Sequence, residues 1–186
     1  DKPCYNDIMP SKAEAILVQT IRASVFLVLL LPLFVYERSL FPFVFPRVIA
    51  FRVLVEIALA GYLMLSIFRA EYRPRRALIV WLVFGFVAAM IVASVFGVDP
   101  YHSFWSSIER GEGILTWLHL VAFFVILLGT FRTKKDWLQL FNVALLPFWL
   151  QAVYSLGQIF DWAFVLKTTG ERPSGTLGNP RFFASY

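Results

Sequence analysis

The sequence predicts an all-α, polytopic transmembrane protein with five full spans, the start of a sixth, and the N-terminus in the cytoplasm. Three observations lead there. Hydrophobic residues make up 59% of the 186 positions and charged residues 16%, with a mean hydropathy of +0.70, well to the apolar side of soluble domains. Apolar runs of spanning length recur along the chain, and the basic residues gather in the short gaps between them.

The predicted spans are Ala15–Tyr36, Val48–Phe68, Ala77–Phe96, Ile114–Phe131 and Trp137–Phe160. At helical rise each covers about 30 Å, the thickness of a hydrocarbon core. The first run is longer than a signal-peptide core and lacks a small-x-small cleavage site, so it reads as a retained helix. A sixth span opens near Phe182. The chain starts at Asp1 and stops at Tyr186 as that segment begins, so residues 1–186 read as the N-terminal part of one membrane-embedded domain.

Orientation follows from Lys and Arg. One set of connections holds Lys2 and Lys12, then Arg69, Arg73, Arg75 and Arg76, then Arg132, Lys134 and Lys135. The other set holds Arg38, Arg47, Arg110, Lys167, Arg172 and Arg181, spread over longer loops. The first set is therefore expected in the cytoplasm, and the two long loops, 98–113 and 161–180, on the outer face. The net charge of +5 is then a topology signal, and nucleic acid is not an expected partner. Chemistry on the outer face is also remote from soluble nucleotides, and the chain has no G-x-x-x-x-G-K-[ST] phosphate loop.

In the outer loop SFWSSIERGEG, Asp99-Pro100 suits a turn, and a short interfacial helix with Phe104 and Trp105 in the headgroups is expected to follow. Gly111 and Gly113 would release the chain into the next span, leaving Glu109, Arg110 and Glu112 at the surface. As residues alone, a solvated charged turn accounts for them. Arg52 and Glu56 lie four apart on the second span and are expected to pair. An ionisable residue in a span is also a functional candidate. Arg22 is within snorkelling reach of the cytoplasmic end. His119, inside the fourth span, suits a hydrogen bond to a neighbouring helix; His102, in the outer loop, has no partner at catalytic spacing. The lone Cys4 has neither a disulfide partner nor metal-ligand neighbours.

The last segment, GERPSGTLGNPRFFASY, is different in kind. It places three glycines and two prolines between Gly170 and Pro180. Gly175 and Gly178 open backbone conformations closed to other residues, Pro173 and Pro180 fix φ, and Ser174, Thr176 and Asn179 offer polar contacts. Exposed amides in such a turn can form an anion-binding nest flanked by Arg172 and Arg181. A helix beginning after Asn179, with Pro180 at its first position, would point its positive end at the same place. Without context, a glycine-rich turn between spans is simply a turn.

RPSGTLGNPRFFASY resembles the R-x-x-G-T-x-G-N-P-N segment that precedes a span in the O-antigen ligase and polymerase-like membrane glycosyltransferases. SFWSSIERGEGILTWLHL resembles the S-F-W-G-S-x-x-R-x-x-G-x-x-T stretch of bacterial members, and PRVIAFRVLVE is similar to the start of their second span. The three stretches occur in the family's order, from about residue 40 to the end. Arg181 stands where Asn is common, and Ser106 where Gly is common.

The resemblance implies transfer or polymerisation of a glycan from an undecaprenyl-diphosphate carrier to an acceptor hydroxyl, on a glycan, a lipid or a protein. The reaction would take place at the outer face of the bacterial cytoplasmic membrane, without metal or other cofactor. Family members carry further spans and a large outer loop whose histidine is the general base, so neither His102 nor His119 inherits that role. Arg172, Arg110 and Arg52 are the expected diphosphate ligands, because planar guanidinium forks match phosphate oxygens. Gly175, Gly178 and Asn179 are expected to shape the pocket. The alternatives are a transporter or flippase whose broken-helix turn binds an anionic or lipid-linked substrate, and a membrane scaffold, which would leave the outer-loop motifs without a purpose.

Overall fold

A computed structural model describes residues 11–74, 77–107, 111–163, 165 and 172–185. All regular structure among them is helical: α1 Ser11–Leu30, α2 Phe45–Phe68, α3 Leu78–Val95, α4 Pro100–Trp105, α5 Ile114–Thr130, α6 Lys134–Ile159 and α7 Pro180–Ser185, with single 3-10 turns at Leu31–Leu33, Ala70–Tyr72 and Gly175–Leu177. Four stretches, Lys12–Leu33, Phe45–Phe68, Leu78–Val95 and Lys134–Ile159, are long and apolar enough to cross a membrane. The fourth predicted span, α5, is apolar but has 17 residues.

Local chemistry sets the boundaries. The first span was expected to reach Tyr36, yet α1 gives way to a 3-10 turn at Leu31 because Pro32 has no amide to continue the ladder. The second was expected from Val48 and begins at Phe45, with Pro46 in the first turn, where a missing amide costs nothing. The last full span begins three residues before Trp137. Thr133 and Asp136 cap it reciprocally, each side chain bonding to the other's backbone amide. Asp99 caps α4, its carboxylate accepting the His102 amide at 2.9 Å. Pro147 lies inside α6, fully buried.

α1 packs along α2, α2 against α5, α1 against α6, and α3 against α5. Ile21 and Val25 of α1, Val55, Ala58, Tyr62 and Leu65 of α2, Ile126 of α5 and Leu140 of α6 close on one another with Phe131. Burial here is a narrow seam. Large apolar side chains such as Trp81, Phe86, Val92, Leu138 and Trp149 are exposed, and a helix that is apolar all round, as α3 is, belongs in an apolar surrounding. The arrangement is compatible with a multi-pass membrane protein.

The connections gather at two ends. At the basic end Arg69 pairs with Glu14 at 2.9 Å, the Tyr72 hydroxyl donates to Glu14 at 3.2 Å, Arg132 donates to the Arg73 carbonyl at 2.9 Å, and Arg22 pairs with Asp136 while lying 5.3 Å from the Phe131 ring centre. Burial, with Glu14 alongside, pushes the Tyr72 phenol above its ordinary range. At the loop end, residues 31–44, 111–113 and 172–179 come together, and α2 is the element that joins them.

Candidate functional site

The N-terminal half of α2 carries two arginines five residues apart, Arg47 and Arg52, which helical geometry separates by about 140° around the axis. They therefore serve different loops. Arg47 donates through Nε to the Phe34 carbonyl at 2.7 Å and through Nη2 to the Thr176 carbonyl. Arg52 donates through Nη2 to Thr116 Oγ1 at 2.8 Å, with the Gly111 carbonyl at 3.4 Å. One helix thus holds the segment after α1, the segment before α5 and the glycine-rich turn in a fixed relation.

The expected Arg52–Glu56 pair does not form the main contact of either residue. α5, packed on α2, presents Thr116 and His119 three apart on one face, and each takes one partner. Arg52 meets Thr116, and Glu56 Oε1 lies 3.1 Å from His119 Nε2. The His119 Nδ1 meets its own helix at the Leu115 carbonyl, 2.7 Å away. These cross-helix bonds tie α2 to α5 through groups that also bond locally, Thr116 Oγ1 to the Gly111 carbonyl and His119 Nδ1 to the Leu115 carbonyl. The Arg52 Nε is buried and has no partner among the described residues.

The glycine-rich turn is built from α6. Gln151 and Gln158, seven apart and hence on one face, reach into it. The amides of Ser174 and Gly175 both donate to Gln158 Oε1 at 2.9 Å, and the Thr176 amide donates to Gln151 Oε1 at 2.9 Å. Gln151 Nε2 donates to the Pro32 carbonyl at 2.9 Å and also meets Thr176 Oγ1. Three amides that read as an anion nest in the sequence are therefore occupied by glutamine carbonyls. These glutamines were not legible as site residues. The signal was present: Gln151, Ser155 and Gln158 form a polar stripe at helical spacing in an otherwise greasy helix.

Gly175 and Gly178 have φ of +57° and +74°, in the left-handed region that favours glycine. A Cβ on Gly175 would stand 2.3 Å from Gln151 Oε1, and one on Gly178 would stand 2.4 Å from Phe43 Cγ. Asn179 accepts the Arg181 amide on Oδ1 at 2.8 Å, and its carbonyl accepts the Phe183 amide at 3.0 Å. It fixes the start of α7, with Pro180 first, as the sequence predicts.

Beside this turn opens a cavity of about 520 Å³, lined by Phe41, Pro42, Phe43, Val44, Glu112, Leu177, Gly178, Asn179 and Phe182. Two of the predicted pocket-shaping residues, Gly178 and Asn179, line it. Among the described residues its one charged group is the Glu112 carboxylate, and none of its walls is basic. Of the predicted diphosphate ligands, Arg52 sits on the neighbouring segment 111–116, Arg172 is exposed at the entry to the turn, and Arg110 lies outside the described residues. Among the described residues no three His, Cys, Asp or Glu gather as a metal site would.

No family model matches the chain, and no curated protein or solved structure matches it either.

Proposed function

We propose that this protein transfers or polymerises a glycan from an undecaprenyl-diphosphate carrier onto an acceptor hydroxyl of a glycan, lipid or protein, at the outer face of a bacterial cytoplasmic membrane. The observation that supports it most is the joining, through Arg47 and Arg52 of α2, of the two loops that carry the O-antigen ligase-like motifs. Sequence places those loops 60 residues apart, and a divided site needs them adjacent. In this reading α5 is a fifth span, since 17 residues cover about 25 Å, α7 opens a sixth, and the N-terminus is cytoplasmic.

The chemistry asks two things of the chain. The carrier diphosphate must be stabilised as it departs, and the acceptor hydroxyl must lose its proton. Arg172, Arg110 and Arg52 are assigned to the first task. The orphaned Arg52 Nε supports that assignment, because a buried donor without a partner is costly until an acceptor reaches it. Gly175, Gly178 and Asn179 hold the turn beside them. The Phe-lined cavity, with Glu112 the one charge among its described walls, suits the uncharged, hydroxyl-bearing part of a substrate better than a phosphate.

Reporter fusions at the Arg172 loop should read as extracytoplasmic, and a cytoplasmic reading would sink the glycan-transfer proposal. In the native-length protein, Arg172→Lys should greatly reduce polymer transfer at unchanged abundance; unaltered transfer would remove Arg172 from the site. The second reading, a transporter or flippase, draws on the Glu56–His119 pair, since intramembrane acid–histidine pairs suit proton relays. Uptake or flipping driven by a proton gradient in sealed vesicles would favour it.

A further inference from the structure

At the basic end, the carboxylates of α1 and α6 are committed. Glu14 takes Arg69 and Tyr72, and Asp136 takes Arg22 and the Thr133 cap. Two guanidiniums are left facing neutral partners. Arg73 donates through Nε to the Ser66 carbonyl at 3.1 Å. Arg132 donates through Nε to the Gly129 carbonyl at 3.0 Å and through Nη2 to the Arg73 carbonyl at 2.9 Å. Among the described residues neither guanidinium meets a carboxylate, and the Arg132 contact is to the Arg73 backbone.

Arg73 also ends a groove of about 580 Å³ between α2 and α5, whose walls include Tyr62, Leu63, Ile67 and Val125. Leu63 and Ile67 are half exposed along it. An apolar groove with a guanidinium and no carboxylate among its described walls has the chemistry of a phospholipid: acyl chain in the groove, phosphate on the Arg73 fork. A free phosphate would use the cation and leave the groove empty; a zwitterionic lipid would bring its own cation to a site that already has one.

We infer that the α2–α5 groove seats one anionic phospholipid of the surrounding bilayer, its phosphate held by Arg73 and its chain lying over Leu63, Ile67 and Val125. This rests on the chain being embedded in a membrane and not on glycan transfer.

The test is lipid retention by the native-length protein, measured by native mass spectrometry from detergent with phosphatidylglycerol and phosphatidylcholine supplied equally. Phosphatidylglycerol should be retained at least about fivefold over phosphatidylcholine, the factor expected for one basic side chain near a surface. Arg73→Gln should bring the ratio close to one, Arg73→Lys should keep most of it, and Ile67→Trp, which fills the groove, should lower retention of both lipids. Equal retention of the two lipids by the unaltered protein would overturn the inference, as would a ratio that survives Arg73→Gln. Displacement of phosphatidylglycerol by millimolar inorganic phosphate, with Ile67→Trp without effect, would show a phosphate site and overturn it too. Should Arg73→Gln fail to fold, Arg73→Lys and Ile67→Trp carry the same comparison.

Discussion

Gln151 and Thr176 bond to each other twice: the Thr176 amide donates to the Gln151 carbonyl oxygen at 2.9 Å, and the Gln151 amide meets the Thr176 hydroxyl. Both side chains also donate to the Pro32 carbonyl. A break in α1, a face of α6 and the glycine-rich turn are thereby closed into one small buried ring of neutral hydrogen bonds.

Replacing Gln151 with Leu keeps the bulk and removes its three bonds, leaving only that of the Thr176 hydroxyl to the Pro32 carbonyl. The Thr176 amide is then left buried and unmet, so the protein should lose about 1–3 kcal/mol of stability. Thermal unfolding in a fixed detergent measures it; a loss below about 0.5 kcal/mol would mean that water replaces the glutamine and the ring is not structural.

Gly178→Ala should destabilise through two separate causes. The left-handed backbone costs roughly 1–2 kcal/mol for a residue with a Cβ, and the methyl would collide with the Phe43 ring. Combining it with Phe43→Ala should recover the collision and leave the backbone cost. A double-mutant cycle reads the two apart, and strict additivity would show that the ring moves aside freely.

Arg47 spans two carbonyls, of residues 34 and 176, and a lysine ammonium lacks the fork to hold both in that geometry. Arg47→Lys should loosen the turn by about 1.5–3 kcal/mol, roughly tenfold or more in its opening equilibrium. With Leu177→Cys introduced and Cys4→Ser removing the native thiol, alkylation should quicken accordingly in the Arg47→Lys background. Equal rates would take Arg47 out of the clamp.

Glu56 and His119 should show a coupling of about 0.6 kcal/mol, and no more than about 1.7, in a cycle of Glu56→Ala and His119→Ala, the range found for hydrogen bonds between membrane helices. Zero coupling would show that the two merely lie side by side. The Arg52→Met and Glu56→Ala changes should be close to additive, because the residues bond to different groups on α5.

The long helices were legible because their signal is redundant: α2, α3 and α6 each repeat the same apolar statement over many residues, so errors were confined to their ends, at Pro32, Phe45 and Thr133. The sorting of connections into two ends was legible for a similar reason, as several basic residues agree. Gly175 and Gly178 were readable because φ is a local property. Arg47 and the two glutamines were not. A single Arg near a helix start counts equally as a loop charge, and what makes it a clamp is the arrival of Phe34 and Thr176, which no local pattern announces. Arg52 and Glu56 failed in the other direction: a correct local spacing suggested a pair, and a neighbouring helix offered each a partner.

Pro147 sits one turn before Gln151, where it removes the amide that would have bonded to the Val143 carbonyl. The length of α6 beyond it carries both glutamines and, through them, the whole turn, with Gln158 about 16 Å further along the axis. Were the bonds of the turn to Arg47 and to the Pro32 carbonyl released, that length would act as a lever arm with its fulcrum at the proline. A tilt of about 10° there would carry the turn nearly 3 Å, while the stub that precedes the proline stays fastened to α1 through Asp136 and Arg22.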